Sequence, residues 1–407
     1  MVQLKVKNFG PVKSGFEDND GYFEINKYTF FIGDQGTGKS TVAKIFSTFS
    51  WLEKAFAREY YDELSFSDFV DLCSYQRLPV EYFKSETELS YKGLAFEFSI
   101  KKEKFEFKKN NNNNKYVCPK IVYIPSERNT VSVLEDLEHI KKLPKIIKDF
   151  KSELKKANLN LEKYKRNFIL NYEILYDKAN DMNYIKSKDD DEKIPLIFAS
   201  SGMQSIVPLM LVTDNLVQFL KLPILEKINY MSAADQEHIL NNIDDSYLMS
   251  KLKLFLSSNI DKNFTEADIE KLSRNFSSFV DSTFVNIVEE PELNLFPTTQ
   301  VKILESLIKH NSFQDSKLVI TTHSPYILSA MNNYIYAEEV FSTKRKCLEE
   351  VSKDLFVNID DVCAYKLEHG RIINIKDTEC NLIDSSAIDD CSSVINDVYS
   401  KLMDLGE

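Results

Sequence analysis

Residues 33–40 read Gly33-Asp34-Gln35-Gly36-Thr37-Gly38-Lys39-Ser40, and this stretch decides the fold. It fits the pattern GxxxxGK[ST], with the apolar run YTFFI (28–32) before it and the apolar-periodic segment STVAKIFSTF (40–49) after it. Strand, glycine-rich loop, then helix is the context in which that pattern has physical meaning. The glycines let consecutive backbone N–H groups curl around an anion at the positive end of a helix. Lys39 neutralises the outer phosphates, and the Ser40 hydroxyl is placed to ligate Mg2+. The expected phosphate-binding set is Gly33, Asp34, Gln35, Gly36, Thr37, Gly38, Lys39, Ser40 and Thr41.

A phosphate cradle needs a metal partner and a group that activates water. The apolar run FVNIV (284–288) delivers Glu289 and Glu290 to its carboxyl end, where ligands bind in open parallel sheets. The paired carboxylates take two roles, Glu289 toward Mg2+ and Glu290 as general base. Two solvated loop acids would fit the composition, but not a position directly after so apolar a strand. Thr321-Thr322-His323-Ser324 repeats the geometry after KLVIT (317–321), putting His323 where an imidazole can touch a terminal phosphate. A lone His is otherwise usually a structural or surface residue. SSGMQS (200–205), after KIPLIFA (193–199), reads first as an ordinary helix start with Ser201 as its cap.

The rest of the chain sets bounds. With 407 residues, 43% hydrophobic and 28% charged, it is soluble globular material able to bury one large core or two modest ones. The start, MVQLKVKNFGPVKSGF (1–16), alternates like a first strand and lacks the apolar core of a signal peptide. No segment has the ~18 uninterrupted apolar residues that span a bilayer, so a cytoplasmic protein without membrane contact is expected. Six scattered cysteines without a CxxC pair point to reduced thiols. The net charge of −12 argues against a wholly basic nucleic-acid coat. Residues 141–166 nevertheless hold ten Lys or Arg against three Asp or Glu, a local +7 that leaves −19 on the remainder. Lys141, Lys142, Lys145 and Lys148 lead this run, which is either a DNA contact or a solvated helix face.

Strands alternating with helical segments imply an α/β protein with a mostly parallel central sheet, covered on both faces and interrupted by insertions. Residues 60–110 read as a helix and a meander of alternating strands, closed by the five-Asn run 110–114. A helical insertion is expected over 131–193. In it Ile147, Phe150, Leu154, Ala157, Leu161, Tyr164 and Phe168 recur at spacings of 3 and 4. This seam fits a short coiled-coil arm or hairpin, and equally an amphipathic helix packed on its own domain. A helical block is expected over 221–280, helices at 298–309 and 324–331, a strand pair at 364–375 and a last helix at 388–404. The expected division is 1–130, the insertion 131–193, a second core part 194–345, and a C-terminal strand pair and helix over 346–407.

Taken in order, the 33–40 loop (Walker A), SSGMQ (signature), IVEEPELNLFP (Walker B and D-loop) and ITTHSP (H-switch) resemble the ABC-type ATPase heads of the structural-maintenance-of-chromosomes and OLD group. EEPELNLFP (289–297) and TTHSPYIL (321–328) are most similar to the ABC-like AAA ATPases of bacterial phage-defence systems such as Septu, PARIS and Gabija. The resemblance implies a P-loop NTPase head that binds ATP and Mg2+, with Ser40 and Glu289 at the metal and Lys39, Glu290 and His323 as catalytic residues. It also implies that Ser201, Gly202 and Gln204 meet the nucleotide of a second copy, in a head-to-head homodimer or higher oligomer. In the chromosome-maintenance group the coiled coil leaves the head where the heptad segment stands here. The residues after the last core strand show no acidic nuclease pattern, so the resemblance implies a separate effector, a nuclease, in antiviral defence. The sequence departs from the family pattern at Met203, where many members have a second glycine. It departs again at Ser126-Glu127-Arg128, which stand where a Q-loop glutamine is usual. The other readings are a DNA-binding repair ATPase working through the basic run, and a scaffold that binds nucleotide without hydrolysing it.

Overall fold

The computed structural model describes residues 2–111, 116–133, 143–164, 168–188, 191–258, 264–277, 279–346, 348–349, 351–377 and 379–384. The apolar run before the glycine-rich 33–40 loop forms the strand Tyr28–Ile32, buried along its whole length. It lies at the centre of a seven-stranded sheet ordered Gly15–Phe16, Arg371–Asn374, Val362–Glu368, Tyr28–Ile32, Lys317–Thr322, Thr283–Glu289, Pro119–Ile124. The five strands from Val362–Glu368 to Pro119–Ile124 run parallel, so their carboxyl ends share one edge. Register makes this concrete: Thr322 stands opposite Ile32, Glu289 opposite Thr321, and Ile124 opposite Val288. Gly33, Glu290, His323 and Pro125 therefore all leave the sheet at the same edge. Thr283–Glu289 is buried at every position, as expected of a parallel strand covered on both faces.

A second sheet is wholly antiparallel, ordered Tyr22–Ile25, Val2–Lys7, Glu88–Lys92, Phe96–Lys101, Lys104–Lys109. The meander thus pairs with the first strand of the chain. The phosphate-loop helix Lys39–Ala57 packs against this sheet through Phe49, which stacks on Tyr91 and Phe98. Fourteen of its nineteen residues are buried, which explains a helix apolar on more than one face.

The strand pair expected as part of a C-terminal unit belongs to this core: Val362–Glu368 lies beside Tyr28–Ile32, and Arg371–Asn374 returns antiparallel to it. The helix expected at 324–331 continues as Pro325–Lys344. Tertiary contacts override the two weak helix formers at 332–333: Asn332 exchanges two 2.8 Å hydrogen bonds with the backbone of Ile383, and Tyr334 and Ile335 are buried. The block at 221–280 contains helices Ile224–Asn229, Ala233–Asn241, Ser246–Ser258 and Glu266–Asn275 around an apolar cluster of their own. The helix expected at 388–404 lies outside the described residues, as do Lys141 and Lys142.

The insertion differs most from expectation. Among the described residues its first part holds the single turn Thr130–Val133 and the long helix Lys145–Tyr164, whose Phe150, Leu154, Ala157 and Leu161 are buried in the same cluster as the helix Ser201–Lys221. The seam therefore faces its own domain, the second of the two arrangements the spacing allows. Its second part is not helical. Strands Phe168–Ile169, Tyr172–Asp177, Met182–Ser187 and Lys193–Pro195 form an antiparallel sheet. Phe168, counted in the helical seam, falls in its first strand. The turn between the two long strands is fixed by Asp177, whose carboxylate accepts from the Ala179 N–H and the Asn180 amide. Phe150→Ala is expected to cost about 3–5 kcal/mol in equilibrium unfolding, because the ring is 1% exposed. A change below about 1 kcal/mol would mean that the helix stands away from the body.

Ser201–Lys221 is the one helix among the described residues long and apolar enough to cross a bilayer, and 72% of that apolar window is buried within the fold.

Candidate functional site

The 33–40 loop is packed on one side and open on the other. Gly33, Gly36 and Gly38 have φ of 139°, 76° and 107°, a region costly for residues with a Cβ. A Cβ on Gly33 would stand 2.3 Å from the Leu367 carbonyl oxygen, whereas one on Gly36 would meet nothing within 4 Å. Gly38 is the N-cap of Lys39–Ala57 and supplies no side-chain acceptor, so the first N–H groups of the helix are left for another partner. Asp34, Gln35 and Gly36 are exposed, Ser40 is half-buried and Thr41 is buried. The Thr37 hydroxyl donates to the Asp34 carbonyl at 2.8 Å. Lys39 is 5% exposed, and its Nζ donates to the Gly33 and Asp34 carbonyls, each at 2.8 Å. Burial lowers its ammonium to about 8, against the opposing pull of Glu290, Glu292, Asp34 and Glu289.

The acidic strand end faces the same edge. Glu289 is 3% exposed; the Tyr123 hydroxyl donates to its Oε1, and the Ser126 N–H to its Oε2 at 3.0 Å. Glu290 adopts φ 44°, a left-handed conformation that costs a non-glycine residue about 1–3 kcal/mol. Its N–H still donates to the Thr321 carbonyl at 2.8 Å, and its Oε1 lies 3.7 Å from His323 Nε2. The His323 imidazole beside it is the main cause holding the Glu290 carboxyl below the usual range. Glu292 locks the two strand ends together: its Oε1 accepts from the Thr322 hydroxyl at 2.8 Å and the His323 N–H at 2.7 Å. Its Oε2 is buried without a hydrogen-bond partner, and burial pushes this carboxyl up.

Arg128 is the residue that sequence reasoning registered only as the absence of a glutamine. It is fully buried, and among the described residues its guanidinium donates to backbone carbonyls. Nη1 donates to Glu289 at 2.7 Å and Pro125 at 3.3 Å, Nη2 to Glu290 at 2.8 Å, and Nε to Ser205 at 3.2 Å. One guanidinium thus ties the Pro119–Ile124 strand end, the acidic strand end and the Ser201–Lys221 helix. Burial lowers it to about 10, opposed by Glu292, Glu290 and Glu289.

The 200–205 stretch is corrected in two respects. The N-cap of the helix is Ser200, whose Oγ accepts from the Met203 N–H at 3.4 Å; Ser201 begins the helix with an exposed side chain. Gln204 turns back on its own chain, its amide donating to the Ile197 carbonyl at 2.8 Å. Gly202 permits a close approach: a Cβ there would lie 3.0 Å from the Asn294 carbonyl oxygen and 3.3 Å from Leu295 Cδ2. The structure therefore gathers Lys39, Glu289, Glu290 and His323 at one edge. Ser201, Gly202 and Gln204 make no hydrogen bond to the 33–40 loop among the described residues. In the basic run, Lys145 and Lys148 are exposed, with Lys145 Nζ 4.9 Å from the centre of the Tyr75 ring.

No protein-family model matches the sequence, and no curated protein matches it. Three solved structures illustrate its distant likenesses. An Smc head domain with an extended coiled coil, bound to the C-terminal domain of ScpA and derived from Pyrococcus furiosus, is 10% identical, with 97% of this chain and 100% of that one covered at a TM-score of 0.36. The SMC head domain from Thermotoga maritima is 10% identical over 92% of this chain and 97% of that one, at 0.34. A dimeric ATP-binding cassette in a post-hydrolysis state with ADP and Pi is 12% identical over 91% and 96%, at 0.30. Strand order, register and the glycine-rich 33–40 loop define its α/β fold.

Proposed function

We propose that the chain binds ATP with Mg2+ and hydrolyses it, in a site completed by a second copy of itself. The observation that carries this reading is the Glu290–His323 pair, at 3.7 Å, on the same sheet edge as the buried Lys39 of the phosphate loop. The donor set fits a nucleotide. The open side of the loop at Gly36, the uncapped helix start and a buried ammonium suit a phosphate chain. Ser40 and Glu289 would hold the Mg2+, which when bound supplies charge neutralisation at the phosphate oxygens. Lys39 places positive charge against the terminal phosphates. Glu290 takes the proton of the attacking water as its oxygen bonds to the terminal phosphorus and the bond to ADP breaks. His323 faces the base and holds it ionised. Lys39→Ala is expected to abolish both nucleotide binding and phosphate release; undiminished release would overturn the reading.

The second copy enters through Ser201. Ser200 does the capping, which leaves the exposed Ser201 hydroxyl available to a phosphate from outside the chain. Ser201→Arg is expected to leave ATP binding by the monomer intact and to prevent ATP-dependent dimerisation, read by light scattering. Dimers that still form and turn over would reduce this stretch to a helix start.

In this reading hydrolysis resets a switch acting on a separate effector, a nuclease in antiviral defence, a role supported by the EEPELNLFP and TTHSPYIL resemblance. A nuclease encoded beside this chain and controlled by its nucleotide state is the expected finding. A neighbour that acts regardless of nucleotide contradicts it.

A further inference from the structure

A cavity of about 370 Å3, with both charged and apolar walls, lies at the other end of the main sheet. It sits where helix Lys39–Ala57 ends, at Lys54 and Arg58, and beside the amino ends of strands Pro119–Ile124 and Thr283–Glu289, at Lys120 and Asp281. Its lining has five cationic side chains, the other two being Lys156 and Lys227, and three carboxylates. The carboxylates are already engaged. Asp281 Oδ1 takes both Lys54 Nζ at 2.6 Å and Arg58 Nη2 at 2.8 Å. Glu153 Oε1 takes Lys156 at 2.7 Å and Lys120 at 3.5 Å. Asp235 accepts from the Tyr60 hydroxyl and from Ser232 Oγ, the latter at 2.8 Å.

Lys227 is left over. It is 8% exposed, and among the described residues its ammonium has no ion pair and no hydrogen bond. Burial lowers it, with only the Asp281 carboxylate pulling the other way. Arg58 Nε is likewise a buried donor without a partner. The residue is largely buried while its ammonium still opens on the cavity without a partner in the fold, so an apolar side chain of similar length should be tolerated in its place. The charge makes physical sense if something anionic meets it. The other donors on the lining are the linked amides of Asn160 and Asn215, since the Ser232 hydroxyl is spent on Asp235. An anion with several acceptor oxygens satisfies this set of donors better than a carboxylate with two. The volume falls in the range of about 300–1,000 Å3 usual for small-molecule sites.

We propose that this cavity binds a small phosphate-bearing anion, with Lys227 as the cation that meets it. The minimal probe is inorganic pyrophosphate at constant ionic strength, with sodium chloride as control and thermal melting of the full chain as readout. Because the phosphate loop also attracts pyrophosphate, the comparison is made between Lys39→Ala and Lys39→Ala/Lys227→Met. Pyrophosphate is expected to raise the melting temperature of the first and to need at least tenfold more to do so in the second. The same rise in both, or none in either, overturns the proposal. A further outcome separates a ligand site from a structural cation. Without pyrophosphate, Lys227→Met should melt no lower than its parent, since it removes a cation that has no partner in the fold. A lower melting temperature would show that the ammonium already has its partner within the protein, and that also overturns the proposal.

Discussion

Glu290→Gln is expected to slow phosphate release by about 10²–10⁴-fold, the usual contribution of a positioned general base, while ATP binding persists. The amide has the shape of the carboxylate and leaves the left-handed turn and the Glu290 N–H bond to the Thr321 carbonyl in place. What it removes is the proton acceptor 3.7 Å from His323. It also removes one of the negative charges facing Lys39, so affinity for an anionic nucleotide should hold or rise. Single-turnover phosphate release and equilibrium nucleotide binding separate the two effects. A variant that keeps more than about a tenth of the rate would deny Glu290 its role as base.

Arg128→Met carries the second large effect. Its four carbonyl acceptors, on Pro125, Ser205, Glu289 and Glu290, would lose a donor in a fully buried setting, each at about 1–3 kcal/mol. Relief of the buried charge offsets part of this, and a net loss of about 3 kcal/mol or more is expected, because several buried acceptors lose their donor at once. The guanidinium also fixes the peptide that carries Glu290 and the start of the Ser201–Lys221 helix. Turnover should therefore fall with little change in KM for ATP, which marks a positioning residue rather than a group that binds nucleotide. Arg128→Lys keeps the charge but lacks the planar fork that reaches three segments, so it should recover stability in part and turnover hardly at all. Unchanged stability and unchanged kcat in Arg128→Met would refute this account of the strap.

The sheet edge that gathers Lys39, Glu289, Glu290 and His323 is legible because its signals are local. The 33–40 loop, the carboxylates after FVNIV and the His after KLVIT each sit directly after an apolar run, and parallel register brings such run ends together. Arg128 was not legible, since Arg is rarely fully buried without a carboxylate, and only its place after the Pro119–Ile124 strand hinted at a role. Glu292 and Tyr123 were missed because their partners, His323 and Glu289, are distant in sequence. The 168–195 sheet was missed for a different reason. The 3 and 4 spacing of the Lys145–Tyr164 helix reaches by chance to Phe168, four residues past its end, and the short alternation Tyr172, Ile174, Tyr176 lies inside the span 131–193 expected to be helical. The adjacent serines at 200 and 201 both suit an N-cap, and only the structure assigns that bond to Ser200.

Mixing two variants tests the shared site most directly. Lys39→Ala lacks the phosphate-loop cation and Ser201→Arg blocks the helix start, and each alone should fail to hydrolyse ATP. If the site joins Lys39 of one copy to Ser201 of another, a mixed dimer contains one intact site and phosphate release reappears when the two inactive proteins are combined. Continued inactivity of the mixture, with both variants folded and Ser201→Arg still binding ATP, would contradict a site shared between two copies.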